Sequence, residues 1–431
     1  MSRDLRSALD RARLPARLAF LGLILLATLT ALHLDTDPTH VAERLGRALH
    51  PGIGASDAID GIRNLALFAG WGVVWMATCG TGATRRHLLQ ALASGAAISL
   101  AVETLQLFSP VRNASLLDVA TNTIGTAAGA AGFVILVQAA TRLRGRQSFV
   151  GVPALILAGS YGLACFVEAA VPLFRQETVL GASGGPVARF AAVAAAFTIN
   201  SLWDLPVEDF LLLLPAGVLV VAALVEAGAS YPVAMRRTIA LGSGLAILAE
   251  LLHGPNGQPI VLGAVVVHAG AVGVGALLGA RLLPDFSRSV RGPARPRLVL
   301  RGLAALIALW ALRPWIPEIL PLAERLTDDW WVPLAALGGR MEVFSVADVV
   351  GPFFLYFPLG ALLAVWPWRQ RGWMAGLWPA LWLALATEAL QLFIQGRFVD
   401  VTDPLIQVSG AVVGWTIVRR AGYRPYGEAG P

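Results

Sequence analysis

The stretch that decides the fold is ETLQLFSPVRNASLLDVATNTIGTAAG, residues 103–129, together with EALQLFIQGRFVDVTDPLIQVSGAVVG, residues 388–414. The two stretches lie 285 residues apart, and from the first glutamate of each their polar and glycine residues recur at offsets of 3, 9, 15, 19, 22 and 26. The repeated polar residues are Glu103, Gln106, Arg112, Asp118 and Asn122 in the first stretch and Glu388, Gln391, Arg397, Asp403 and Gln407 in the second. An internal repeat defines the structural unit of a chain, so two copies of one helical unit are predicted.

The composition of the chain is typical of a membrane protein. Its 431 residues are 56% hydrophobic and 14% charged, with a mean hydropathy of +0.68, whereas soluble domains carry roughly 25% charged residues. All 33 basic residues are arginine, and they follow the expected membrane topology, so the net charge of +6 does not predict a nucleic-acid partner. Cys79 and Cys165 fall in apolar runs, which argues against a disulfide framework or a zinc cluster.

Twelve apolar segments are long enough to cross a hydrocarbon core of about 30 Å. They lie at residues 17–34, 62–79, 88–107, 116–139, 151–172, 207–227, 237–252, 260–280, 298–316, 349–367, 373–393 and 402–418. With the N-terminus in the cytoplasm, 23 of the 33 arginines fall on the cytoplasmic side, as the positive-inside rule requires. We therefore predict an all-α polytopic bundle of about twelve spans, with both termini inside, in the bacterial plasma (inner) membrane.

The twelve segments divide into three sets of four helices, at residues 1–145, 146–297 and 298–431. In each set, a lead helix is followed by a longer outer segment and then by three helices joined by short loops. An even number of helices in each set predicts parallel repeats, related by an axis along the membrane normal. The middle set carries only fragments of the motif, such as Glu250, His253 and His268, and is interpreted as a degenerate copy.

The repeated polar residues are predicted to converge near the extracytoplasmic membrane boundary. An offset of 3 places each glutamine on the helix face of its glutamate. Asp118 and Asp403 begin the fourth helix of their sets, where a carboxylate favours the positive end of the helix dipole. Because an ionised acid at mid-bilayer costs roughly 2.5–3.5 kcal/mol, each glutamate is expected to have a partner. The nearest candidate is the arginine nine residues further along.

Five further polar residues are secondary candidates for this site: Asp60, Asn64, Asp348, Glu250 and His253. Asp60 and Asp348 lie at helix starts, where capping explains them equally well. Two histidines without a clustered third ligand do not predict a metal, and no cofactor motif is present, so neither is expected. The pairs Gly125–Gly129 and Gly410–Gly414 have the four-residue spacing of close helix packing.

This arrangement resembles the VanZ-like membrane protein family. The residues that carry the resemblance are Asp60, Asn64, Phe68, Glu103, Gln106, Arg112, Asp118, Asn122 and Gly125, and then Asp348, Pro358, Gly360, Glu388, Gln391, Arg397, Asp403 and Gly410. The resemblance covers residues 57–140 and 345–420, and the middle set only faintly. It implies a small polytopic domain linked through its founding member to low-level resistance to the glycopeptide teicoplanin, with no established reaction. The chain departs from the family pattern at Pro352 and Gln407, where asparagine is usual.

Several functions fit these observations. The first is a cell-envelope protein, in contact with membrane lipids, whose polar clusters engage a lipid-linked or cell-wall-related ligand; the two arginines would meet an anionic group. The second is an enzyme acting on a polyprenyl- or phospholipid-linked substrate, with Glu103 or Glu388 as general base. A transporter built on parallel repeats fits less well, because the charged groups lie near one membrane face. In the remaining alternative, the polar residues only hold the bundle together.

Overall fold

The computed structural model describes residues 3–29, 35–49, 55–79, 85–110, 114–143, 148–169, 197–198, 207–253, 260–290, 294–313, 317, 346–365, 372–395 and 400–423. Across these ranges it contains thirteen helices and two strands of two residues each. The protein therefore has the all-α architecture that the apolar segments predict.

The helices follow one another along the whole described chain. They are α1 (Arg3–Leu29), α2 (Pro38–Leu49), α3 (Ala55–Thr78), α4 (Arg85–Gln106), α5 (Leu116–Leu143), α6 (Ala154–Ala169), α7 (Val207–Glu226), α8 (Tyr231–His253), α9 (Leu262–Ser289), α10 (Ala294–Ala311), α11 (Val346–Val365), α12 (Gly372–Gln391) and α13 (Thr402–Arg420). The strands β1 (Phe197–Thr198) and β2 (Ile260–Val261) pair in parallel.

Several helices have the length and composition of membrane-crossing segments. Within the described ranges, four are both long and apolar enough: Arg85–Gln106, Leu116–Leu143, Asp209–Glu226 and Leu262–Ser289. Shorter apolar helical segments are Leu14–Leu25, Leu67–Thr78, Ala154–Phe166 and Val350–Val365. A helix lies at each of the twelve segments identified in the sequence, while the number of spans stays a prediction. Helix α2 was not predicted, because twelve residues are too few to cross a bilayer.

The chain divides into two compact units, of which the first contains α1 to α4 and most of α5. Its core is formed where α1 meets α3: Ile24, Phe68 and Trp71 are buried together and are surrounded by partly buried apolar side chains. Trp71 also donates a hydrogen bond from Nε1 to Ser94 Oγ of α4, at 3.0 Å. Three of the four long helices of the unit are thus joined through one aromatic cluster.

The second unit contains α6 to α13. Helices α7, α8 and α9 pack on one another, and α11, α12 and α13 do the same. Helix α6 packs against both α7 and α11, and α10 packs against α11 and α12. The ring of Trp310 in α10 meets the ring of Tyr161 in α6 edge-on, with a centroid distance of 6.1 Å. The two lead helices therefore tie the middle and third sets together.

In each predicted set, the second and fourth helices approach most closely along a seam of glycines. A methyl group added at Gly129, Gly275 or Gly414 would overlap a backbone carbonyl oxygen of the facing helix, which is α3, α7 or α11 respectively. The second helices contribute to the same seam with Gly72, Gly217 and Gly360. Small residues allow such backbone contact between helices in a membrane. The predicted packing role of the glycine pairs in α5 and α13 is confirmed.

Helix α2 is held at the C-terminal end of α4 by polar contacts. The Arg44 guanidinium donates to the Leu107 carbonyl at 3.2 Å and forms an ion pair with Asp35 at 2.5 Å. The backbone N–H of Asp35 donates to the Phe108 carbonyl at 2.7 Å, and His40 Nδ1 lies 3.0 Å from the Asp35 carboxylate. Hydrogen bonds from the backbone of Asp37 and from Arg44 lower the pKa of Asp35 from 3.8 to about 2.

The contacts that hold α2 against α4 are expected to persist at mildly acidic pH. A carboxylate whose pKa is lowered on folding contributes stability that is present above its unfolded pKa and is lost as the pH falls through its folded pKa. The protection of the α2 amides from hydrogen exchange, corrected for intrinsic rates, should thus be constant from neutral pH to about pH 4 and fall only towards pH 2. In Asp35→Asn the protection should be lower throughout this range. Loss of protection near pH 5 in the wild type would contradict this assignment.

Candidate functional site

The two repeated glutamates bind the backbone at the start of the next helix. Glu103 and Glu388 are 7% and 5% exposed. A carboxylate oxygen of Glu103 accepts a hydrogen bond from Ser115 N at 2.8 Å, directly before α5. A carboxylate oxygen of Glu388 accepts one from Asp400 N at 2.7 Å, two residues before α13. We call this bond the glutamate clamp. It closes the hairpin between the third and fourth helices and satisfies a backbone donor.

Two residues beside the clamp were not identified in the sequence, although their side chains bind the backbone at the start of the next helix. Ser115 Oγ accepts a hydrogen bond from Leu117 N at 3.1 Å. Asp400 Oδ1 accepts from the backbone N and the hydroxyl of Thr402, at 2.8 and 2.6 Å. The available signal was a serine or aspartate followed three residues later by an acid, at 115–118 and 400–403. Ser115 directly precedes α5, whereas Asp400 lies one residue before Val401, the N-cap of α13. Those acids, Asp118 and Asp403, lie in the first turn of the fourth helix, as predicted.

The repeated glutamines bind the end of the lead helix of their own set. Gln106 Nε2 donates to the carbonyl oxygen of Thr28 in α1 at 3.0 Å. Gln391 Nε2 donates to the carbonyl oxygen of Ala311 in α10 at 3.1 Å. Both carbonyls belong to the last turn of a helix, where the backbone lacks an intrahelical donor. The glutamines therefore attach the lead helix to the hairpin that the clamp closes.

The amides one turn into the fourth helix are almost completely buried. Asn122 and Gln407 are 2% and 4% exposed. Asn122 Nδ2 donates to Ser99 Oγ of α4 at 2.8 Å. Asn122 Oδ1 and Gln407 Oε1 are buried and have no hydrogen-bond partner among the described residues. Since buried polar atoms are nearly always hydrogen-bonded, this pair of acceptors at equivalent positions requires an explanation.

The middle set contains a clamp of its own. Glu250 is 3% exposed, and its carboxylate accepts a hydrogen bond from Val261 N at 3.2 Å, directly before α9. Its placement between α8 and α9 matches that of Glu103 between α4 and α5. The side chain of His253, another candidate in this set, lies outside the described residues.

In the middle set, a histidine that pairs with a carboxylate takes the place of the buried amide. His268, 146 residues after Asn122, lies with Nε2 3.1 Å from the carboxylate of Asp209 in α7. Asp209 itself lies 145 residues after Asn64. Arg313 Nη1, beyond the end of α10, lies 3.9 Å from the same carboxylate. Sequence analysis did not identify Asp209 as a candidate, because the repeated motif is absent from this part of the chain.

Of the remaining candidates, the structure describes the side chain of Asn64. Asn64 is half-buried on α3. Arg112 and Arg397 lie outside the described residues, so their pairing with the glutamates stays a prediction. The side chains of Asp60 and Asp348 also lie outside them. The geometry thus brings together the glutamate, the glutamine, the first-turn acid and the buried amide of each copy at one end of its helices.

Apolar helices of membrane-crossing length, joined through buried polar contacts at one end of each hairpin, define an integral membrane protein of the helical type. The family model described as VanZ/LLP1 matches the chain twice, at residues 11–137 and 305–422. Together these matches cover more than half of the chain, and the protein belongs to the VanZ/LLP1 family. No curated protein and no solved structure matches it.

Proposed function

We propose that the protein is a cell-envelope protein of the bacterial plasma membrane that holds a lipid-linked or cell-wall-related ligand at its extracytoplasmic face. In this proposal the chain crosses the membrane twelve times, with both termini in the cytoplasm. Its three sets of four helices are parallel repeats. The clamps of Glu103, Glu250 and Glu388 support this arrangement, since each joins a third helix to the fourth in the same way.

The observation that carries the proposal is the buried pair of acceptors, Asn122 Oδ1 and Gln407 Oε1. Each is an amide oxygen without a described hydrogen-bond partner, one turn below the mouth of its hairpin. Leaving such a group unpaired costs about 1–3 kcal/mol. A ligand group that donates a hydrogen bond there, such as a hydroxyl or an amide N–H, would recover this free energy. Sugar and peptide parts of a cell-wall precursor carry both.

The arginines supply the second half of the proposed recognition. Arg112 and Arg397 belong to the loops that the clamps close, between the third and fourth helices. A guanidinium at this point is suited to the phosphate of a lipid carrier, since it binds phosphate oxygens in a bidentate manner. The ligand would then present its phosphate to the loop and its neutral donors to the amide.

A binding function is preferred to a catalytic one, because the glutamates already accept hydrogen bonds from the backbone. As general bases, Glu103 and Glu388 would have to release the backbone N–H at the start of α5 or α13. Their geometry instead supports a constant role in shaping the mouth of the hairpin. A link to glycopeptide resistance is a further part of the proposal, because a protein that holds cell-wall precursors can change their exposure.

The proposal is tested by replacing the two buried amides with apolar side chains of similar shape, a change that also removes the hydrogen bond from Asn122 Nδ2 to Ser99 Oγ. In detergent-solubilised Asn122→Leu/Gln407→Met, the affinity for a soluble muramyl peptide should fall at least about tenfold, because one hydrogen bond is lost in each set. Binding of farnesyl phosphate should persist in this variant and weaken in Arg397→Gln. Affinity is measured by calorimetry, and thermal unfolding checks that each variant is folded.

Ser409→Ala is the matched control on α13. Its hydroxyl is exposed and bonds only within the helix, to the Leu405 carbonyl at 2.7 Å, so this variant should bind both probes as the wild type does. Equal affinity of the double variant and the wild type for the muramyl peptide would overturn the role given to the amides. Absence of binding of both probes to the wild type would overturn the choice of ligand.

A further inference from the structure

Helix α2 presents three distinct faces. The face turned to the protein consists of Val41, Arg44 and Ala48. A second, exposed face is apolar: Pro38, Ala42, Leu45 and Leu49. A third, also exposed, is polar: Thr39, His40, Glu43 and Arg47. At 100° per residue, the apolar and polar faces lie on roughly opposite sides of the helix, and the protein-facing residues lie between them.

The apolar face of α2 is uncovered. Leu45 and Leu49, which are one turn apart, are 45% and 52% exposed, whereas Ala48 beside them is 6% exposed. An isolated exposed leucine is normal on a protein surface. A whole apolar face opposite a charged face is instead the pattern of a helix that lies at a boundary between water and an apolar phase.

The attachment points of α2 place it at such a boundary. Arg44 and the backbone of Asp35 bind the carbonyls of Leu107 and Phe108, directly beyond the membrane-crossing helix Arg85–Gln106. That helix carries exposed Leu100 and Leu105 at the same end, as expected of a surface in contact with lipid. Helix α2 is therefore attached at the end of a membrane-crossing helix that has exposed apolar side chains.

The order of the three faces fixes the orientation of α2. A helix parallel to the membrane normal would have a single environment, either lipid or water, on all of its exposed sides at a given depth, so its exposed sides would not differ in polarity. A helix that lies in the plane of the membrane beside a bundle has lipid on one side, water on the opposite side and protein at its flank. Helix α2 has this third arrangement of faces, with Arg44 and Ala48 at the flank.

We propose that α2 is an interfacial helix that binds the lipid surface at the end of α4, with Leu45 and Leu49 inserted at the boundary between headgroups and acyl chains. Its occupant is the bilayer, because α2 is attached at the end of a membrane-crossing helix with exposed leucines, and its charged face lies roughly opposite its apolar face. The inference is independent of the ligand proposed above. It assigns to the first set a membrane contact outside its spanning helices.

The test uses single cysteines on opposite faces of α2. In a Cys79→Ala/Cys165→Ala background, Leu45→Cys and Leu49→Cys are compared with Glu43→Cys after reconstitution in vesicles of phosphatidylcholine and phosphatidylglycerol. A charged maleimide should label positions 45 and 49 at least about tenfold more slowly than position 43, because the lipid boundary excludes it. A spin label at 45 or 49 should collide with oxygen more often than with a water-soluble nickel complex, and the reverse should hold at 43.

If water or protein, rather than lipid, is in contact with the apolar face, the labelling results will differ. Fast maleimide labelling at 45 and 49, equal to that at 43, would show α2 in water and overturn the proposal. Slow labelling combined with low oxygen accessibility would mean that protein covers the face, through a second copy or another partner, and would also overturn it. All three positions are exposed, so the substitutions leave the packing of the protein unchanged.

Discussion

Replacing Gly129 with alanine is expected to prevent the first set from folding. The added methyl group would overlap the carbonyl oxygen of Ala69, and backbone cannot move aside as a flexible side chain can. Forced overpacking of this kind costs about 1–3 kcal/mol, and more where backbone is involved. Little or no monodisperse protein should therefore survive detergent extraction. The measurement is the fraction recovered by size-exclusion chromatography, with thermal unfolding of whatever remains.

Gly132→Ala is the matched control in the same helix, three residues further along. Nothing lies within 4 Å of a methyl group added there. Removing a helical glycine lowers the entropy of the unfolded chain, so this variant should be as stable as the wild type or up to about 1 kcal/mol more stable. If Gly129→Ala and Gly132→Ala behaved alike, the close approach of α3 and α5 would be wrong.

The same comparison can be made in the other two sets. Gly414→Ala in α13 and Gly275→Ala in α9 should be as damaging as Gly129→Ala, because each added methyl group would meet a backbone carbonyl oxygen. Gly273→Ala is the control for α9, since nothing lies within 4 Å of its added methyl group. A harmless Gly275→Ala would argue that the middle set does not share the packing of the others.

Truncation of a clamping glutamate is the second change with a large expected effect. In Glu103→Ala or Glu388→Ala, the N–H before the fourth helix loses its acceptor and a cavity is left, for a combined loss of about 3 kcal/mol. Glu103→Gln and Glu388→Gln should be much milder, because the amide oxygen still accepts the hydrogen bond. The measurement is the unfolding temperature of the detergent-solubilised variants, each compared with the wild type.

Two further glutamates complete this experiment. Glu250→Ala should be as destabilising as the other truncations, since its carboxylate binds Val261 N in the middle set. Glu43→Ala, at an exposed position on α2, should leave the unfolding temperature unchanged. If the alanine and glutamine variants of Glu388 were equally unstable, the carboxylate charge would matter more than the clamp, and an ion pair with Arg397 would be the better explanation.

The spacing of the repeat predicts much of the fold, because periodic apolar runs and glycine pairs report directly on helices and their contacts. Gly129 and Gly414 are examples: a glycine four residues after another in an apolar helix has few uses besides close packing. The same spacing showed that Glu103 and Gln106 share a helix face. Helix α2 escaped prediction because a short amphipathic stretch inside a polar connection is not a spanning segment.

The partners of the polar residues could not be predicted in the same way. The sequence suggests side-chain pairs, such as Glu103 with Arg112, because residues differ from one another only in their side chains. In the structure, Glu103 and Gln106 bind backbone groups at helix ends, and every residue offers such groups. The pair of His268 and Asp209 could not be predicted for another reason. The motif has asparagine at both equivalent positions, Asn122 and Asn64.

The glutamate clamps also bear on how the chain is made. Each joins residues only 11 or 12 positions apart, so a hairpin can close soon after its second helix leaves the ribosome. The glutamine contacts span 78 and 80 residues and reach back to a helix synthesised much earlier. Assembly of the first and third sets would then follow a fixed order. The hairpin of the third and fourth helices would close first, and its glutamine would then bind the last turn of the lead helix, which was inserted earlier.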